Sequence, residues 1–248
     1  MLAIYTMARA RILGAVGTAC LVTACGTQSL VYHSADARAA PLDPSVVLLP
    51  PDVVVSLHTA GGHAKPRADW SERVSRRLLE ALRAQLYERG VRFEEYGHDI
   101  EDSDVDAIRQ VNVMLDAIEL NRLKGLADMR QVGVTAIGGD RDYSLGEEEQ
   151  DRFRSFGTDY ALYVVLRANR ASSGRVITTV LAEVATLGLS GMDASTMQFR
   201  SALIDLRDGH IKWANFDSEA LSDVGDLLSA KHRRWRRAVD HLLNGFPL

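Results

Sequence analysis

Val46-Val47-Leu48-Leu49-Pro50-Pro51-Asp52-Val53-Val54-Val55-Ser56-Leu57 is the stretch on which the fold turns. An apolar run rich in valine suits a strand buried on both faces, and its proline pair marks a bulge or an edge. A loop over Thr59–Ala68 follows, holding Gly61, Gly62 and Pro66. Asp69 then predicts a helix N-cap, with Glu72 three residues on completing a capping box. Trp70, Val74, Leu78, Leu82 and Leu86 fall at every fourth position, so this helix lays one face on a sheet. Gly90 ends it, and Val91-Arg92-Phe93 opens a second strand. Strand, helix and strand in this order predict a parallel βαβ pair.

Downstream, Ser103 begins a second helix with Val105, Ile108, Val111, Leu115 and Ile118 on its inner side. Ser144 and Glu147 cap a third, short helix through Phe153 and Phe156, closed by Gly157. Tyr160–Arg167 is a central strand by its composition. Thr196–Leu206 and His210–Phe216 flank Asp208-Gly209, a two-residue hairpin signal. That loop sets Leu206 opposite Ile211, Ile204 opposite Trp213 and Arg200 opposite Asp217, with Asp205 facing Lys212 and Ser201 facing Phe216. A final helix over roughly Leu221–Leu243 is stopped by Gly245 and Pro247. The fold class expected is α/β: a mixed sheet with a βαβ start and a late antiparallel hairpin, helices packed on it, in a single domain over residues 46–248.

Upstream of that domain the sequence changes character. Residues 1–24 hold Arg9 and Arg11, no acid, and an apolar run from Ile12 to Ala24 too short to span a bilayer. Val22-Thr23-Ala24-Cys25 resembles a bacterial lipobox, whose cysteine is lipidated on sulfur and becomes the new amino terminus. The other reading is a secretory signal that happens to contain a cysteine, and translation is open between Met1 and Met7. Each buried methylene contributes about 0.8 kcal/mol, so two or more acyl chains anchor firmly where one does not. Gly26, not Asp, follows the cysteine, which implies the periplasmic face of the outer membrane. Residues 25–45, small and polar after the cysteine, read as a flexible tether.

Composition limits what the chain can be. It is 46% hydrophobic and 25% charged with 6 Pro in 248 residues, which excludes disordered and collagenous classes. Its only thiols are Cys20 and Cys25. Cleavage would discard the first and acylation would consume the second, so packing rather than disulfides must hold the domain. Losing two arginines and no acid would move the formal charge from −4 to −6, which disfavours nucleic acid as a partner.

The order of lipobox, tether, proline-broken strand, Trp-led helix and late hairpin resembles a known group. Val47-Leu48-Leu49-Pro50-Pro51, Asp69-Trp70-Ser71-Glu72 and Leu203–Trp213 (Leu-Ile-Asp-Leu-Arg-Asp-Gly-His-Ile-Lys-Trp) carry the resemblance. The group is that of periplasmic lipoproteins similar to the curli-secretion pore subunit (CsgG-like) and to the amino-terminal domain of TolB. The resemblance implies secretion channels, transport accessories or activators of cell-wall synthesis, none of them resting on a catalytic motif.

Signatures of chemistry are sparse. Asp102, Asp104 and Asp106 open like a calcium loop, but Ala107 and Val113 stand where Gly and Glu are required. They read as charges at a helix amino terminus. Gly188-Leu189-Ser190-Gly191 is one residue short of a nucleophile elbow. His58 and His63 share a loop with no third ligand at a telling spacing. No catalytic residue, metal or cofactor is expected.

Two surface features stand out. In Lys231-His232-Arg233-Arg234-Trp235-Arg236-Arg237, Trp235 points inward and Lys231, Arg233, Arg234, Arg236 and Arg237 fan outward. This is either a solvated face, helped by Arg236 four residues before Asp240, or a contact patch for acidic lipid, cell-wall polymer or an acidic partner. Residues 172–192, centred on Val180 and Leu181, carry only Arg175 and Glu183 as charges and repeat at helical spacing. They form either a helix buried on the sheet or one that packs on a partner. A pore needs alternating strands of ~9–11 residues, a pattern this stretch lacks. The function expected is a non-enzymatic accessory or scaffold in envelope assembly or transport, with an envelope protein partner and a homo-oligomer open. The competing classes are a secretion-pore subunit and a periplasmic glycan or small-ligand binder.

Overall fold

The computed structural model describes residues 28–34, 43–59, 61, 63–96, 102–132, 143–145, 157–172, 196–220, 228 and 232–248. The valine-rich run forms β2 (Ser45–Leu48) and β3 (Asp52–His58), split at the proline pair. Both lie parallel on the same edge of β6 (Tyr160–Ala171). Leu48 is opposite Leu162 and Asp52 is opposite Val165, so one extra residue bulges at the prolines. The bulge changes the alternation of the strand. Val46 and Leu48 before it, and Val53 and Val55 after it, all face the same helical layer.

α1 (Ala68–Glu88) follows a short β4 (Ala64–Pro66), and β5 (Arg92–Glu95) returns parallel beside β2. The expected βαβ unit is therefore present. Val74, Leu78, Leu82 and Leu86 are fully buried, each contributing about 1.5–3 kcal/mol relative to exposure. Gly90 stops the helix at φ +73°. The start differs from expectation: Arg67 occupies the N-cap position and no side chain caps it. The Asp69 carboxylate is instead held by Arg67, and Glu72 pairs with Arg76. Ser71 does the local work, its hydroxyl donating to the Arg67 carbonyl and accepting from the Val55 N–H.

α2 (Asp102–Val132) covers the opposite face of the sheet, burying Ala107, Val111, Leu115 and Ile118. Val105, expected inside, is exposed, because Ala107 and Ile108 take the inward positions of that turn. β6 is the central strand expected, alternating strictly between the two cores. β7 (Thr196–Asp205) and β8 (Ile211–Ala220) follow antiparallel. The helix expected after Ser144 lies outside the described residues from position 146 onward. Ser144 itself forms a backbone bridge to His210, and its hydroxyl donates to the carbonyls of Leu145 and Asp208.

The hairpin is real but its register is not the expected one. Leu203 faces Trp213 and Arg200 faces Phe216, one residue away from the two-residue-loop alignment. The loop holds four residues, closed by Asp205 N–H to His210 carbonyl (2.9 Å) and Gly209 N–H to Asp205 carbonyl (2.8 Å). Gly209 sits last in it at φ +71°. A second bulge at Lys212 then puts Ile211 and Trp213 in opposite cores. Near the loop apolar residues still meet apolar ones, Leu203 with Trp213 and Ile204 with Ile211, so both alignments look sensible in the sequence there.

β1 (Gln28–His33) falls within the stretch expected to be a tether. It instead adds antiparallel to β8, pairing Gln28 with Ser218 through His33 with Trp213. Tyr32 is buried there and Leu30 and Val31 are partly buried, one side to each core. The sheet order is β1-β8-β7-β6-β2-β5, with β3 and β4 beside the far half of β6. α3 (His232–Leu242) packs beside α1 and buries Trp235, Val239 and Leu242. The molecule is an α/β fold with a mixed eight-stranded sheet between α1 with α3 on one face and α2 on the other.

Candidate functional site: two ends of one sheet

Charged side chains gather at the two ends of the strands, and the ends differ. At the hairpin end, Asp205 is fully buried and takes a two-pronged contact from Arg207 (2.9 and 2.5 Å). Lys212 lies 4.0 Å from Asp205 and 3.5 Å from Asp208. Burial raises the Asp208 carboxyl, but the His210 backbone N–H, the His210 ring and Lys212 outweigh it and hold the group below its ordinary value. Burial, then the Asp205 charge, pushes the Tyr160 hydroxyl upward. Beside it the Asp159 carboxylate accepts from the Ser45 N–H (3.0 Å) and hydroxyl (2.9 Å). These groups satisfy one another, so the cluster locks the loop and joins β2 to β6. Sequence reading paired only Asp205 with Lys212, because the others depend on the four-residue loop.

At the other end a second group of side chains is partly exposed. Trp70 has the Arg67 guanidinium 4.5 Å and the Arg170 guanidinium 5.5 Å from its ring centre. Lys65 of β4, Leu57 of β3 and Arg170 of β6 stand in one row across the sheet. The loop of His58 and His63 sits here as a tight hairpin, Thr59 N–H donating to the His63 carbonyl at 3.0 Å. Among the described residues no group of three His, Cys, Asp or Glu lies close enough to hold a metal ion. Nothing in the sequence signalled the Arg67–Trp70–Arg170 stack, because Arg170 lies 100 positions from Trp70 and reaches it only from β6.

The basic stretch divides. Trp235 is inside as expected, and Arg234, Arg236 and Arg237 are outside. Arg236 reaches Glu88 of α1 at 2.7 Å rather than its own-helix neighbour Asp240. Gln85, in the amide orientation its neighbours require, donates to Asp240 and accepts from Arg236, each at 3.2 Å. Arg236 therefore staples two helices. Lys231, the side chain of Arg233, and Val180, Leu181 and Cys25 lie outside the described residues. So do Gly188–Gly191 and the side chains of Asp102 and Asp104. Asp106 pairs with Arg109 at 2.6 Å, as a helix-terminal charge does. The flanks of residues 172–192 are described: Ser172 N–H donates to the His58 carbonyl, and Thr196 pairs with Asn169. The chain thus leaves and re-enters the sheet at the Trp70 end.

On the α2 face, Leu30, Glu119, Leu123, Arg200, Phe216 and Asp217 line a shallow cleft of about 210 Å³. Its one cation is neutralised, since Arg200 pairs with Asp116 and, at 2.7 Å, with Glu119.

No protein-family model matches this chain, and no curated protein matches it. Among solved structures it is similar to two PelC dodecamers from Paraburkholderia phytofirmans. One, a point variant, is 9% identical with a TM-score of 0.36, covering 87% of this chain and 98% of that chain. The other is 10% identical with a TM-score of 0.37 over the same shares. A likeness this faint assigns neither family nor partner.

Proposed function

We propose that this chain is a lipid-anchored accessory or scaffold protein of the bacterial envelope, acting through contacts rather than by catalysis. One observation carries the reading. The lipobox Val22-Thr23-Ala24-Cys25 ends three residues before Gln28, the first residue of an edge strand built into the sheet. An acyl group on Cys25 would therefore hold the α/β body close to a membrane instead of trailing it on a long leash. No helix among the described residues is long and apolar enough to cross a membrane.

The charges at the hairpin support a non-enzymatic role, since Asp205, Arg207, Asp208 and Lys212 are used to lock it. Protein contacts have two candidate surfaces: the outward cations of α3, and the open edges of β1 and β5, which end the sheet among the described residues. We place the anchor at the periplasmic face of the outer membrane and the chain with the curli-secretion-like and TolB-like lipoproteins it resembles. Fractionation of cells expressing the wild type and Cys25→Ser tests this. The wild type should sediment with outer membrane and the variant should be released by washing. Equal sedimentation of both would remove the anchor from the account.

A further inference from the structure

Among the described residues three strands have an open side: β1, β4 and β5. An open edge offers unpaired backbone groups to any extended chain, and proteins blunt such edges with charge, proline, brevity or a bulge. β4 is three residues long, with Lys65 and a closing Pro66. β5 is four residues long, three of them charged. β1 carries none of these devices. Its six residues include no proline and no Lys, Arg, Asp or Glu. Its pairing with β8 runs without a bulge from Gln28–Ser218 to His33–Trp213.

The parity of β1 decides which groups are on offer. Ser34, next after the strand, donates its N–H to the Lys212 carbonyl at 2.9 Å, so the even-numbered residues bond inward to β8. Ser29, Val31 and His33 therefore aim their N–H and C=O groups away from the sheet, where they have no partner among the described residues. On the α2 face, the cleft of about 210 Å³ begins at Leu30 and is walled on its apolar side by Phe216 and Leu123. Leu123 is 45% exposed and Leu120, three residues before it, 68%. A strand added outside β1 would project alternate side chains onto that face, and the one opposite Leu30 would lie against Leu30 and Leu123.

We infer that β1 is a strand-addition site whose occupant is an extended segment of another envelope protein, uncharged over about six residues and apolar where it falls opposite Leu30. The inference deepens, and rests on, the proposal that this chain acts through contacts. Main-chain hydrogen bonds to Ser29, Val31 and His33 would hold the segment, and the Leu30–Leu123 wall would set which segments are accepted. A second copy of this chain fits the edge less well. Either face of its β5 carries charge, Arg92 with Glu94 or Glu95 beside Phe93. Its β1 already commits Leu30 and Tyr32 to its own core.

Photo-crosslinking in cells that make the full-length chain tests this. The photoreactive benzoylphenylalanine would replace Leu123 beside the cleft or His33 on the edge, with Glu94 on β5 and Arg237 on α3 as separate controls, and the adducts would be digested and sequenced. Leu123 and His33 should capture the same uncharged segment of one second protein, and Glu94 should not. Ser29→Pro removes an outward N–H and should lower capture from Leu123 about five-fold. Leu123→Asp should lower capture from His33 by a similar factor, with near-ultraviolet dichroism of both purified variants unchanged. Because Leu123 is half exposed, its variant decides the matter if Ser29→Pro does not fold. Capture indifferent to these variants, or scattered over several segments, overturns strand addition. Adducts joining this chain to itself, within one molecule or between two, overturn the occupant named. Silence at Leu123 and His33 while Arg237 captures a protein overturns this inference and leaves the contact reading standing. Silence at all four positions overturns both.

Discussion

Arg207 and Asp205 make an unequal pair, and the inequality predicts how the hairpin fails. Asp205 is 0% exposed, whereas Arg207 is 41% exposed and can turn to water. Arg207→Ala leaves the buried carboxylate with the residue 207 backbone N–H at 2.9 Å and Lys212 at 4.0 Å, without the guanidinium that neutralised it, at a cost of about 3 kcal/mol. Adding Asp205→Asn removes the stranded charge and should recover part of that loss in urea unfolding. Asp208 behaves differently because the fold lowers its carboxyl below 3.8. A depressed carboxylate stabilises the fold above the unfolded value and loses that contribution as pH falls. The stability gap between wild type and Asp208→Asn should therefore be fullest near neutral pH and close on acidification below about 3.8, as thermal melts at several pH values would read. Arg236 is only a surface staple to Glu88, each side chain about half exposed, so Arg236→Ala should cost no more than ~1 kcal/mol. Tyr163, buried and bonded to Asn112, is pushed upward chiefly by burial. It adds a loss of stability as pH climbs past the ordinary tyrosine value of 10.0, which Tyr163→Phe should blunt.

The two buried tryptophans separate packing from hydrogen bonding at the level of elements. Trp213 of β8 donates its ring N–H to the Asn244 carbonyl at 3.2 Å. The Trp235 N–H of α3 has no hydrogen-bond partner among the described residues. Trp213→Phe should therefore cost about 1 kcal/mol more than Trp235→Phe in chemical unfolding. Equal losses would mean that volume alone decides. Elements of this kind were legible in the sequence wherever one face is buried. The four-residue stripe of α1 follows from hydrophobic periodicity, β6 from its unbroken apolar composition, and the parallel return of β5 from the strand–helix–strand order. What periodicity misses is a change of parity. The prolines at 50–51 announce one bulge, but nothing around Lys212 announces the other, and loop length cannot be read from Asp208-Gly209 when Gly209 closes a longer turn. Nor does Gln28–His33 look like a strand, because its sequence is polar except for Leu30, Val31 and Tyr32. Its place comes from β8, which offers an unpaired edge. At the candidate surface, Trp70 was legible as a core residue and not as a ring between two arginines, since Arg170 meets it only across the sheet.

At the scale of the whole molecule, the sheet separates a basic and aromatic end from a hairpin end whose charges are consumed internally. The α3 cations lie beside the carboxyl-terminal half of α1, toward the hairpin end. The open edges at β1 and β5 permit head-to-tail pairing of copies, which closes into a ring or runs on as a filament. If copies associate this way, Ser29→Pro, which removes a donor from the open side of β1, should lower the scattering mass of the purified chain. All of this depends on a lipid at Cys25, and intact-mass spectrometry of the protein taken from its own membranes tests that most directly. The account predicts a chain beginning at Cys25 and carrying a thioether-linked diacylglyceryl group. A chain of any other amino terminus with an unmodified Cys25, or with Cys25 removed, would contradict it.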